Sequence, residues 1–137
     1  MPYLVAVVLA LLIVAVTRIA GMDRDRALYP VALIVIGSYY VLFATMGGST
    51  PSIVTETIGA LVFLAIAVIG FRINLWIVAL AIAGHGLFDF FVHPYLVTNP
   101  GMPPWWPAFC GTIDIALAIL VAILLNRGVI RARREPA

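Results

Sequence analysis

A chain of 137 residues that is 64% hydrophobic and only 10% charged cannot be a soluble domain, because too much apolar surface would be left in water. Its formal charge of +2 sets eight arginines against six carboxylates; it contains no lysine, which excludes a retinal-type Schiff base, and its one cysteine, Cys110, excludes an intrachain disulfide framework. The chain reads as all-α, a polytopic membrane protein forming a single transmembrane helical domain with no room for a separate soluble one.

Five apolar stretches are each about as long as a bilayer core requires, roughly 17 to 25 residues. The first, Tyr3–Ile19, differs from a signal peptide in having no basic n-region and in placing Arg18 where small cleavage-site residues belong, so it is expected to be retained as a helix. The second, Leu28–Met46, follows Asp25 as a prospective N-cap and tolerates Pro30 in its first turns. The third, Pro51–Gly70, opens with Thr50 as cap and Pro51 at the first helical position. Asn74 is expected to cap the fourth, Asn74–His93, and Gly128 to stop the fifth, Pro107–Asn126. Residues 127–137 form a basic tail. Threading these five helices places Arg18, Arg24, Arg26, Arg72, Arg127, Arg131, Arg133 and Arg134 on one side, the positive-inside pattern, with the N-terminus outside and the C-terminus in the cytoplasm. That orientation leaves the tail available to anionic membrane lipids.

The acidic residues divide in two. Asp23, Asp25 and Glu135 sit among arginines and need only solvation or local pairing. Glu56, Asp89 and Asp114 lie inside apolar helices, where an ionisable group costs at least ~2.5–3.5 kcal/mol and is usually functional. Counted at ~1.5 Å per residue, Glu56 is about 7 Å beyond Pro51, Asp89 about 7 Å and His85 about 13 Å short of Pro94, and Asp114 about 10 Å beyond Pro107. Three helices thus carry polar groups to one layer in the outer half of the membrane. His85 and Asp89 share a helix face at i, i+4, and His93 falls roughly 80° round from His85. Cys110 and Asp114 repeat the four-residue spacing, as do Ser52 and Glu56. Burial of these stripes requires that they face one another, around a polar cavity opening outward.

Imidazole and carboxylate are the usual ligands of zinc, iron and manganese. The expected ligands are His85, Asp89 and Asp114, with His93 at the mouth and Glu56 as the catalytic proton-handling group. Three ionised carboxylates around one divalent ion would leave a net charge of −1, so one is expected to be protonated or a second metal present. Cys110 reads as a small packing residue. Gly84 and Gly86, flanking His85, would admit either a substrate or a neighbouring helix. Tyr39 and Tyr40 lie at the depth of the acids, and one of them could supply a hydroxyl. The connection at 94–106, stiffened by prolines and carrying Trp105 and Trp106, could form a lid or a plain interfacial belt.

Walker loops, dinucleotide-binding glycines, H-E-x-x-H and G-x-S-x-G motifs are all missing, and nothing but the short tail would attract nucleic acid. The stretch GHGLFDFFVHPYLVTNPGMPPWWPAFCGTID, about a quarter of the chain, resembles the signature region of small bacterial multi-pass membrane proteins with a His-x3-Asp helix and a Pro/Trp-rich connection to a Cys/Asp helix. That resemblance implies no activity, and it implies the plasma membrane of a bacterium as the chain's location. The arrangement of His and acid is also similar to that of membrane metal hydrolases of the alkaline ceramidase and adiponectin-receptor type, which carry more helices and a serine-bearing motif this chain lacks. The sequence therefore points first to a metal-dependent hydrolase of a lipid or amphiphile. A small proton- or cation-coupled transporter and a metal-free acid/base isomerase are the alternatives. Ala79/Ala83 and Ala118/Ala122 offer small-xxx-small faces for a homo-oligomer or for packing within one protomer.

Overall fold

The computed structural model describes residues 1–133, so Arg134 and Glu135 lie outside the described residues. Among these residues there are six helices and no strand: α1 Pro2–Ala20, α2 Leu28–Met46, α3 Thr50–Ile73, α4 Leu75–Phe91, the single turn α5 His93–Leu96, and α6 Trp106–Asn126. Four of them, α1, α2, α3 and α6, are long and apolar enough to cross a membrane. α4 is equally apolar but has 17 residues, about 26 Å at the helical rise.

The ends follow local chemistry, with corrections to the sequence reading. α1 closes on Gly21 at φ +70°, with the Met22 N–H on the Thr17 carbonyl at 2.9 Å and the Gly21 N–H on Arg18 at 3.1 Å, a left-handed cap that satisfies two terminal carbonyls. Arg18 then grips the buried Asp23 through both carboxylate oxygens at 2.8 and 3.0 Å. Asp25 is not the cap of α2. That position is Ala27, and Asp25 Oδ1 accepts only the Ala27 N–H at 3.0 Å, because Arg26 adopts φ +69° and turns the chain between them. The cap of α3 is Ser49 rather than Thr50, with its hydroxyl oxygen accepting from the Ser52 N–H. α3 also runs through Gly70 to Ile73, since a bare Cα at that point lets α4 approach; a Cβ would collide with Val78. Asn74 caps α4 as expected, accepting the Trp76 N–H at 3.0 Å. Gly128, at φ +64°, ends α6.

The largest departure falls at the end of α4. The helix stops at Phe91, two residues before the expected end, and α5 restarts at His93. Pro94 has no N–H to offer and its ring opposes the carbonyl four residues back, so the hydrogen-bond ladder cannot pass through it. Breaking at Val92 turns His93 inward, and it is fully buried.

α4 packs most extensively on α6, α2 on α3 and α1 on α6. Leu33, Leu75, Val78, Ile82 and Val121 are fully buried at the centre. At the arginine-bearing end the start of the tail docks instead of trailing free. Ile130 is buried, the Leu75 N–H donates to the Ala132 carbonyl at 2.8 Å, and the Arg26 guanidinium donates to the carbonyls of Arg131 and Ala132 at 3.0 and 2.9 Å. At the other end residues 97–105 fold over the helix termini. Gly101 lies so close to α2 that a Cβ there would strike the Phe43 carbonyl oxygen, and the Ser52 hydroxyl donates to the Thr98 carbonyl at 2.6 Å. Ala79, Ala83, Ala118 and Ala122 line a shallow groove between α4 and α6, with Ala79 and Ala118 already buried.

Candidate metal centre

α4 and α6 bring four donor side chains together. His85 and Asp89 come from successive turns of α4, Cys110 and Asp114 from successive turns of α6, and one ligand atom from each lies within 4.8 Å of all the others. The helices can approach this closely because Gly86 and Gly111 face each other. A Cβ on Gly86 would stand 2.8 Å from the Gly111 carbonyl oxygen and 3.1 Å from the Asp114 Cβ. Gly84 has open space around it, so of the two glycines flanking His85 only Gly86 serves helix packing. Gly86→Ala is therefore expected to wedge α4 from α6 and to remove bound metal at least tenfold more readily than Gly84→Ala, the comparison being metal retained per chain after dialysis against a graded chelator series.

Within the cluster His85 Nδ1 is 2.8 Å from Asp114 Oδ2 and 3.5 Å from Asp89 Oδ2, and Cys110 Sγ is 3.8 Å from Asp114 Oδ2. All four residues are buried. Among the described residues neither oxygen of Asp89 nor Oδ1 of Asp114 meets a donor in hydrogen-bond geometry, although the Tyr40 hydroxyl and the Cys110 thiol stand close to Asp89; buried carboxylates held this loosely are costly unless something else meets them. Donors at ~2.0–2.3 Å from a tetrahedral ion stand roughly 3.3–3.8 Å apart. Two of the three spacings fall in that range, and the third would open by about half an ångström on coordination. The donor set fits a zinc- or iron-class ion, with the thiol favouring the softer metals over magnesium or calcium. His85, Asp89, Cys110 and Asp114 could thus hold a metal ion.

The five ionisable groups expected to converge form two clusters instead of one. His93 does not join the metal-ligating residues; its Nε2 lies 2.9 Å from Glu56 Oε1. Asn99, from the 97–105 segment, donates its amide to the same Oε1 at 2.9 Å and to the Tyr40 carbonyl at 3.0 Å. Glu56 and His93 are both buried, so His93 is an interior residue rather than an interfacial one. Glu56 has its own imidazole and amide, so the negative charges left around a divalent ion are those of Asp89 and Asp114, with a third added if Cys110 ligates as a thiolate.

Tyr40 separates the clusters. Its ring centroid is 4.4 Å from that of His93 and 5.7 Å from that of His85. Its hydroxyl is buried without a hydrogen-bond partner, whereas Tyr39 is exposed and packs on Trp106 at 5.1 Å. Trp106 also packs on Phe43 at 4.8 Å, while Trp105 is exposed. Two cavities flank the metal-ligating residues. One, of about 440 Å³ between α2, α3 and α4, has Glu56, Tyr40 and His85 in its wall. The other, of about 370 Å³ between α1, α2 and α6, reaches Cys110 and Asp114.

No family model matches this chain, and no curated protein or solved structure matches it. Sequence reasoning missed two contributors to the site. Cys110 had its signal, the four-residue spacing to Asp114, but an apolar helix uses cysteine as a packing residue just as readily. Asn99 had none, since an asparagine before a proline in a connecting segment is an ordinary turn residue.

Proposed function

We propose that the protein is a membrane-embedded, metal-dependent hydrolase acting on a lipid or other amphiphile. In this reading the chain crosses the plasma membrane of a bacterium five times, with α4 the shortest span, the N-terminus and the site toward the outside and the arginine-rich end in the cytoplasm. The observation that carries the proposal is the pairing of a buried four-donor cluster, with unpartnered carboxylate oxygens, to an apolar cavity that has Glu56 on its wall.

His85, Asp89 and Asp114 would hold the metal, with Cys110 beside them as a thiol, so that the fourth tetrahedral position stays open. A divalent ion bound there would supply Lewis acidity and a water acidified to a pKa of about 7. The other steps belong to the chain. His93 Nε2 and the Asn99 amide both engage Glu56 Oε1, which leaves Oε2 to accept a proton from the attacking water and return it to the leaving group. His93 thus positions the general base instead of ligating metal. The apolar wall of Phe63, Phe88 and Leu96 excludes water around the reacting bond.

Glu56→Gln keeps the shape and both hydrogen bonds to Oε1, and it is expected to lower kcat by about 10²- to 10⁴-fold with metal content unchanged. Release of fatty acid or alcohol from a panel of long-chain esters and amides, followed in proteoliposomes, measures this. Equal turnover by wild type and Glu56→Gln would exclude Glu56 as the base. A metal-free acid/base isomerase is the second reading, favoured by the His85–Asp114 hydrogen bond at 2.8 Å, which is complete without an ion. The transporter reading has less support, because Leu33, Val78, Ile82 and Val121 form a fully buried apolar core. A homo-oligomer would have to use the α4–α6 groove, where Ala83 and Ala122 remain half-buried.

A further inference from the structure

The cavity between α2, α3 and α4 carries information about head-group charge. Its volume of about 440 Å³ is that of a small-molecule site. Val62 and Leu96, both more than half exposed, stand in its wall, so its mouth opens on the apolar surface of the helices, where an alkyl chain would lie. Its polar residues are Glu56, His85, Tyr40 and Thr55, and no arginine is among the lining residues. The chain has no lysine, and Arg72, on the same helix as Glu56, is 16 residues away, about 24 Å along the axis.

A phosphate moved beside Glu56 would lose its hydration with no arginine or lysine to meet it and with a carboxylate next to it; the one basic side chain in the wall, His85, is engaged by Asp114 at 2.8 Å, and a divalent ion there would have its charge matched by Asp89 and Asp114. An ammonium or hydroxyl head group meets the reverse situation. Glu56 offers a carboxylate, and the aromatic residues Tyr40, Phe63 and Phe88 stand in the same wall, side chains of the kind that attract cations.

We infer that this cavity takes a single-chain amphiphile whose head group is cationic or uncharged and donates hydrogen bonds, and that Glu56 excludes phosphate-bearing lipids from it. The inference names the substrate class of the hydrolase proposed above and rests on that reading for calling the occupant a substrate; the binding selectivity stands separately. It adds a specificity role to Glu56.

The test is calorimetric titration of octylamine, octanol and octyl phosphate into the full chain in zwitterionic nanodiscs, with empty nanodiscs subtracted. Saturable binding of octylamine and octanol is expected, each on the order of tenfold or more tighter than octyl phosphate. Gly59 lines the cavity, and a Cβ placed on it would meet no atom within 4 Å, so Gly59→Leu fills the space without a backbone clash and should abolish binding. Glu56→Gln should bring octylamine and octyl phosphate to within about threefold of each other. Octyl phosphate binding as tightly as octylamine, no saturable binding of either, or unchanged binding to Gly59→Leu would overturn the inference. Metal content is measured on the same samples. Head-group selection without metal would remove the hydrolase and leave the selective cavity, and metal without selection would do the opposite.

Discussion

Replacing His85 by alanine is expected to take the purified protein from about one zinc- or iron-class ion per chain to background. The imidazole is the sole neutral nitrogen donor in a set completed by Asp89, Cys110 and Asp114, and without it two carboxylates and a thiol must hold the ion alone. Asp89→Asn should act in the same direction, since it removes one of the two charges that offset a divalent cation. Both variants carry a folding cost that must be separated from the loss of metal. Asp114 Oδ2 has only His85 Nδ1 and the Cys110 thiol as partners, so His85→Ala leaves a buried carboxylate oxygen nearly orphaned, at a cost of about 1–3 kcal/mol. The comparison that separates them is thermal unfolding with and without chelator. Wild type should lose stability when the ion is stripped, by an amount set by ion concentration over Kd, and His85→Ala should not respond. Metal at background in wild type purified without chelator would eliminate the metal centre and shift the chemistry to the His85–Asp114 pair as an acid/base couple.

The second large effect concerns the other cluster. His93→Ala is expected to destabilise the fold by about 3–5 kcal/mol, because it leaves the buried Glu56 carboxylate with only the Asn99 amide. It also removes the ring packed on Tyr40 at 4.4 Å and on Phe88 at 5.8 Å. Glu56→Gln should cost less, since a neutral amide needs no compensating charge. The two substitutions together should cost less than their sum, by roughly 0.5–3 kcal/mol, as groups in direct contact do. Reversible unfolding in mixed micelles reads all three variants, and strict additivity would show that the pair is not coupled. Metal content in His93→Ala tells the roles of the histidines apart: retention is expected of a residue that positions Glu56, and loss would return His93 to the ligand set.

These two histidines also mark the boundary between what could be read from residues and what could not. His85 and Asp89 belong to one helix face at any register, because 3.6 residues per turn puts i and i+4 on the same side. The same rule applied to His93 failed. It assumes an unbroken helix, and Pro94 breaks this one at Val92. A short turn then carries His93 to α3 instead of α6, where Glu56 is waiting. The caps show the same pattern on a smaller scale. Asn74 and Gly128 act as expected because their roles depend on the adjacent residues alone, whereas Asp25 loses the cap of α2 to the left-handed turn at Arg26, which is held by carbonyls of residues 131 and 132.

That the chain is all-helical and apolar enough to span a membrane, with a few ionisable groups inside its apolar helices, was legible in the residues alone. Those properties follow from composition, length and the cost of charge in hydrocarbon, none of which depends on how the helices meet. Which polar faces share a site was settled by packing. Helical periodicity states the direction of a side chain around its own axis and nothing about the neighbouring axis. That choice was made by Gly86 against Gly111, which bring Cys110 and Asp114 to His85 and Asp89, and by the fold of residues 97–105, which delivers Asn99 to Glu56 across 43 residues of chain.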